Sequence, residues 1–134
     1  MAAVIAGMMV AGSALSAVGA VSQANAAKAA ASYNADIKLR DAAIAMNQAG
    51  ADVDRVRREG ERAKGSLIAG YGASGVTSDD GSPLDVLRMS AHENALDQNT
   101  VLYRGRLKAM GYQADAELSR SAGRAAQQQG YLNS

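Results

Sequence analysis

The apolar positions of this chain recur at helical spacing along most of its length. In residues 28–69, Tyr33, Ile37, Ile44 and Ala51 follow one another at steps of four and seven. Val53, Val56, Gly60, Ala63 and Leu67 continue at steps of three and four, the spacing that gathers residues on one face of an α-helix. No proline interrupts this stretch. The stripe slips by about two residues between Ala51 and Val53, so a strict heptad repeat is not established, and curvature or a change of packing partner is expected there. In residues 82–132, Leu84, Leu87, Ala91 and Ala95 begin a second stripe, and Tyr103, Leu107, Met110, Ala114 and Leu118 carry it on in a shifted phase. Gly105, Gly111 and Gly123 weaken this second helix locally. No period-two segment bounded by turns competes with these stripes, so no sheet is expected.

Between the stripes, residues 70–81 read GYGASGVTSDDG, a cluster of Gly, Ser, Thr and Asp that predicts a flexible loop. Its first six residues spell G-x-G-x-x-G. A dinucleotide fingerprint needs a preceding strand and a parallel-sheet unit, and here a helix precedes it, which sets that reading aside. Asp79 and Asp80 alone do not make a calcium loop. The start of the second helix is marked by Ser82 at the N-cap, Pro83 at the first helical position and Asp85 near the positive end of the dipole. The fold class expected is therefore all-α: a long helical hairpin with an Ala/Gly-rich apolar N-terminal helix and no sheet, its arms about 60–75 Å long by helical rise.

Residues 1–27 carry no charge and mix Val4, Ile5, Met8, Met9, Val10, Leu15 and Val18 with many Ala, Gly and Ser. The length suffices to cross a bilayer, but the small residues contribute little insertion energy, so a solitary span would be marginal. Ala3, Gly7 and Ala11, and again Gly12, Ser16 and Ala20, stand four apart, giving two small-residue tracks that allow close helix approach. This stretch is the candidate membrane-inserting segment. A helix buried in protein packing is a second reading. A cleaved signal is a third, because Ala24-Asn25-Ala26 fits a cleavage site, although the positive n-region is missing. The organisation expected is thus 1–27 apolar, 28–69 helix, 70–81 loop, 82–132 helix and 133–134 tail.

Composition changes this picture by showing how little bulk is available. Of the residues that make the chain 48% hydrophobic, Ala supplies 30, while Val, Ile and Leu together number 23 and Phe, Trp and Cys are absent. A large buried side chain contributes roughly 1.5–3 kcal/mol and Ala much less, so an ordinary globular enzyme is a poor fit and stability must come from neighbours. A homo-oligomer is expected. Without Cys and with a single His there are no disulfides and too few ligands for a usual zinc site, and no cofactor or metal is expected. His92-Glu93 begins like a metalloprotease helix motif, but position 96 is Leu where the second His would stand. No catalytic residues are identified, and the chain is read as a non-enzyme.

Lys and Arg total 14 against 13 acids, a net charge of +1 that gives no global attraction to nucleic acid. Asp36 with Arg40, Asp54 with Arg58, Glu59 with Arg62 and Glu61 with Lys64 stand acid-first at helical spacing and are expected to pair on a solvated face. Acids interleave the basic run Arg55, Arg57, Arg58, Arg62 and Lys64. Arg104, Arg106 and Lys108 have no acid between Asp97 and Asp115 and lie near Tyr103 and Tyr112. They are the candidate contacts to DNA phosphates or to another subunit.

A resemblance enters with the run Gly81-Ser82-Pro83-Leu84-Asp85-Val86-Leu87, followed by Asn94-Ala95-Leu96-Asp97, Tyr103-Arg104-Gly105 and Gly111-Tyr112-Gln113-Ala114-Asp115-Ala116. This pattern resembles the internal virion proteins, also called ejection proteins, of short-tailed, podovirus-type phages. It covers roughly residues 58–126, and the N-terminal stretch agrees only in character. The resemblance implies a portal-proximal internal core component that leaves the virion interior with the genome and helps form a DNA-translocation channel across the host cell envelope. The partners it implies are other internal virion proteins, the portal and a host membrane. No catalytic residues carry over, and nothing here is like the lytic transglycosylase domain of a larger ejection protein. Two other classes stand beside it: a purely structural helical adaptor, and a small membrane-active pore-forming or holin-like effector. The long chain after the apolar stretch counts against a holin.

Overall fold

The structure is a computed structural model that describes residues 2–132, with side chains described from Gly19 onward. Two helices make up the fold: α1, Ala2–Ala73, of 72 residues, and α2, Gly81–Leu132, of 52 residues. It is all-α and hairpin-like, with no strand among the described residues. The backbone of α1 is continuous through residue 27, so residues 2–27 and 28–69 form one helix rather than two segments. The connection is shorter than its composition implies, occupying 74–80, because Gly70, Tyr71 and Gly72 remain helical.

The glycine pattern that spells G-x-G-x-x-G is the C-terminal cap of α1. Val76 N–H donates to Tyr71 C=O at 3.0 Å and Gly75 N–H to Gly72 C=O at 3.2 Å, the paired bonds of a Schellman motif. Gly75 holds the left-handed φ of 74° that this motif requires. Ser74 Oγ adds bonds to the carbonyls of Gly70 and Tyr71 at 3.0 and 2.9 Å. At the start of α2 the side-chain acceptor is Asp80, whose Oδ1 receives Gly81 N–H at 2.7 Å. The expected side-chain cap at Ser82 does not form: α2 begins at Gly81 and Ser82 lies within its first turn, while Asp80 accepts only from its immediate neighbour rather than from the N2 or N3 position of an N-cap. With Gly81 at a φ of 63° the chain turns one residue earlier than the Ser-Pro signal suggests.

The chain divides into two compact units. In the unit Ala42–Met110, the buried residues are Ala42, Ala45, Ala49, Leu87 and Ala109. Here α1 and α2 run antiparallel, and Gly105 sits directly against Ala49; a methyl added at Gly105 would also lie 3.5 Å from Ala49 Cα and 3.7 Å from Ala45 O. In the unit Met1–Asp41 with Gly111–Ser134, Ala24, Ala35 and Ala116 are buried. A methyl added at Gly123 would lie 2.7 Å from Ala31 Cβ, and one at Gly130 would meet Ala24 and stand 3.4 Å from Ala20 O. Seven residues along α1, from Ala24 to Ala31, are thus matched by seven back along α2, from Gly130 to Gly123. Ala20, one of the expected packing residues, contributes to this close approach within the chain.

These seams contain almost no bulk. No described side chain larger than Ala is buried except Leu87. A buried methyl contributes about 0.8 kcal/mol, so the two backbones hold together largely through dispersion along a close approach. Gly105 and Gly123, expected only as weak points in α2, are places where that approach is close.

The apolar stripe of α1 faces the other way. Tyr33, Ile37 and Ile44 are exposed, Tyr33 by 67%, and Ala51 is exposed as well. The buried positions Ala35, Ala42 and Ala49 lie two residues before Ile37, Ile44 and Ala51, roughly 200° around the helix. Between Ala49 and half-buried Val53 the inward track takes an extra four-residue step and continues through Val56, Gly60 and Leu67. That is where the sequence stripe slips. On α2, Leu84 and Leu87 point inward, whereas Ala91, Ala95, Tyr103, Leu107, Met110, Ala114 and Leu118 are exposed. The shifted phase of that stripe is a crossing from the inner face to the outer one.

None of the four expected acid-first pairs forms. Asp52 pairs with Arg55 at 2.9 Å and Asp54 with Arg57 at 3.5 Å along α1, and Asp85 with Arg88 at 3.9 Å along α2. Asp36 reaches across to Arg120 at 3.4 Å, and Glu117 pairs with Arg124 at 3.1 Å. All are solvent-exposed pairs, which contribute about 0–1 kcal/mol each.

Candidate functional site

Two open grooves flank the seam of the unit Ala42–Met110. The first, about 470 Å³, runs beside Gly60 and Asn94 and is edged by Glu59, Glu93, Asp97 and Arg104. Its floor is organised by Asn94, whose Nδ2 donates to Val56 C=O on the facing helix at 3.0 Å. Asn94 Oδ1 in turn accepts from Gln98 Nε2. Gly60 leaves the room this amide needs, since a methyl there would overlap it. A side-chain amide bonded across an otherwise apolar seam fixes longitudinal register, because sliding the helices would strand its donors. In the sequence Asn94 figures only in the resemblance run and with no packing role, although it continues the three- and four-residue spacing of Leu87, Ser90 and Val101.

The second groove, about 340 Å³, lies over the Ala49–Gly105 contact and is edged by Asp52, Arg55, Arg104 and Lys108. Three cations against one acid make this edge basic, and Asp52 is already engaged by Arg55. The candidate cations of α2 therefore separate. Arg104 and Lys108, one turn apart, share this groove, while Arg106 lies outside it, on the opposite flank of the helix by its spacing. None of the three forms an ion pair among the described residues. Both grooves are open, suited to side chains or phosphates laid along them rather than to an enclosed reaction.

In the unit Met1–Asp41 with Gly111–Ser134, polar contacts cross between the helices at their edges. Lys38 Nζ stands 5.5 Å from the centre of the Tyr112 ring and Gln127 Nε2 donates to Asn25 Oδ1 at 3.4 Å. Of the proposed membrane-inserting residues, the side chains of Val4, Ile5, Met8, Met9, Val10, Leu15 and Val18 lie outside the described ones. The same holds for the packing positions Ala3, Gly7, Ala11, Gly12 and Ser16. Among the described residues no helix is long and apolar enough to cross a membrane, and no group of His, Asp and Glu is placed to hold a metal ion.

The most extensive feature is the outer face itself. Val86, Met89, Leu96, Tyr103, Leu107 and Met110 of α2 are all exposed. On α1, Tyr33, Ile37, Leu39, Ile44, Met46 and Ile68 are exposed as well. Single exposed apolar residues are ordinary, but a sustained helical stripe of them is a surface that other helices can cover. Comparison with protein-family models, with curated proteins and with solved structures finds no match to this chain.

Proposed function

We propose that this chain is a non-enzymatic assembly protein that acts as an internal virion, or ejection, protein of a short-tailed phage. In this reading it is a portal-proximal core component that is released with the genome and helps build a channel across the host envelope. The observation that carries the assembly part is the inversion of bulk: among the described residues the helices close on Ala and Gly with Leu87, and sixteen large apolar side chains, Tyr33, Ile37, Tyr103 and Met110 among them, are left exposed. Such a chain completes its core with neighbours. The phage role rests on the resemblance of residues 58–126, and the charge-free residues 1–27 suit a segment sheltered by protein until release.

Mass spectrometry of purified particles tests the virion role directly, and absence of the chain from them would defeat it. The membrane step is tested by flotation of the full chain with liposomes, comparing the natural sequence with Val10→Asp. A central Asp opposes insertion by about 2.5–3.5 kcal/mol, so flotation is expected to fall sharply. Particles carrying Val10→Asp that deliver DNA normally would remove the membrane role and leave a purely structural adaptor. The channel proposal further requires Gly12→Leu to keep membrane affinity while impairing assembly, since it adds apolar area but blocks close helix approach.

A further inference from the structure

We propose that two copies of this chain pair through the outer face of α2, antiparallel, about a two-fold axis near Thr100 and Tyr103. The inference rests on the assembly reading above only in requiring a second copy; it is independent of the phage role. Val86, Met89, Leu96, Tyr103, Leu107 and Met110 fall at alternating three- and four-residue steps once Glu93 and Thr100 are included, a heptad seam. All are exposed, with Met89 and Met110 each at 61%. The inward track of the same helix, through Leu87, Asn94, Val101, Gly105 and Ala109, lies on the opposite side and is already used by α1. A helix with one apolar seam occupied and a second one open has the pattern of a member of a four-helix arrangement.

The charges beside the open seam select the partner and its direction. Glu93 and Asp97 come first along the helix, and Arg104, Arg106 and Lys108 follow. None of these five makes an ion pair within the chain among the described residues. A second α2 laid antiparallel, with Thr100 opposite Tyr103 and Leu96 opposite Leu107, sets Asp97 beside the other copy's Arg104 twice, once on each side of the axis. In the same register Glu93 stands near the other copy's Lys108. A parallel pairing would instead set Glu93 against its own copy within the seam, which is unfavourable between like charges at close range. The complementarity is therefore that of the helix with its own reverse, the condition for an isologous interface.

Sedimentation equilibrium of the full chain reads the pairing. Asp97→Arg or Arg104→Asp alone places like charges together at two symmetric sites and is expected to weaken association about tenfold, while the double exchange restores it. Direction is read by thiol cross-linking, because the chain has no cysteine of its own. Leu96→Cys with Leu107→Cys is expected to give covalent dimers on mild oxidation, and either alone is not. Within one helix these positions are about 16 Å apart, too far for an internal disulfide. Association unaffected by Asp97→Arg, a double exchange that fails to restore it, or efficient cross-linking by either single cysteine would overturn this pairing while leaving assembly intact. A natural chain that stays monomeric up to about 100 μM would overturn the assembly reading along with it.

Discussion

Substituting alanine for glycine should reverse in sign along α2 according to what the new methyl meets. At Gly111 nothing lies within 4 Å of the added carbon, whereas at Gly105 it would overlap Ala49 Cβ. An exposed helical Gly→Ala change stabilises by about 0.8–1 kcal/mol. Gly105→Ala gains the same intrinsic term, but its clash is with a methyl fixed directly to the backbone. Neither residue has a rotamer to change, so the helices must separate locally. Overpacking of this kind costs about 1–3 kcal/mol, leaving Gly105→Ala destabilised by up to about 2 kcal/mol. The difference between the two variants isolates the steric part, because the propensity gain cancels. Urea unfolding followed by circular dichroism at 222 nm, at matched protein concentration, measures both midpoints. Gly50→Ala, which also meets open space, serves as the control on α1. Equal stabilisation of Gly105→Ala and Gly111→Ala would refute the close approach of the helices at Ala49.

Gly123→Ala should resemble Gly105→Ala, more mildly, since its new methyl stands 2.7 Å from Ala31 Cβ; the same unfolding assay checks it. Gly75→Ala forces a Cβ into the left-handed conformation of the α1 cap and is expected to lower stability by about 1–2 kcal/mol. Asp80→Ala removes the acceptor of Gly81 N–H at the turn and should cost about 0.5–1.5 kcal/mol. Ser82→Ala should stay within about 0.5 kcal/mol, and a larger effect there would return the helix start to the serine. Asn94→Ala removes the bond to Val56 C=O, with an expected loss of about 0.5–1.5 kcal/mol and broadened amide resonances along the seam. Arg120→Ala, which breaks an exposed pair with Asp36, should shift the midpoint by less than about 1 kcal/mol.

The helices themselves were legible in the sequence because apolar spacing reports helical period whichever face is buried. Which face is buried was not, and Ile37 and Ile44 show why. A reading by hydrophobicity gives the inward side to the largest apolar residues, but two backbones can also close on Ala35, Ala42 and Ala49, where small size is the useful property. The phase slip at Ala51 and Val53 was visible as an irregularity, and its meaning as an extra step in the Ala and Gly track emerges only with the partner helix in place. The expected loop is longer than the real one, because Gly70 and Gly72 look like turn residues yet stay helical, and only Gly75 and Gly81 adopt a positive φ. Arg104 and Lys108 were singled out by the absence of neighbouring acids and do share a groove. Arg106 was grouped with them by adjacency alone, which helical geometry does not respect. The bridging role of Asn94 is not legible in the sequence, because a polar residue in register with small ones gives no hydrophobic signal.

A seam of alanine and glycine also changes how this hairpin opens and closes. Neither side chain has a χ torsion to immobilise, so bringing these faces together orders no rotamers, and parting them exposes only methyl-sized areas to water. Closure is then a zipper of small, similar steps with little to lose or gain at each one, held in place by Asn94 and by the capped turn. Amide exchange should reflect this, with protection highest around Val56, Asn94 and the turn and falling toward the far ends through partial openings well below the global unfolding energy. Such a chain can part its helices and rejoin them without passing through a state that exposes a large core, because among the described residues Leu87 is the one large apolar side chain buried in the seam.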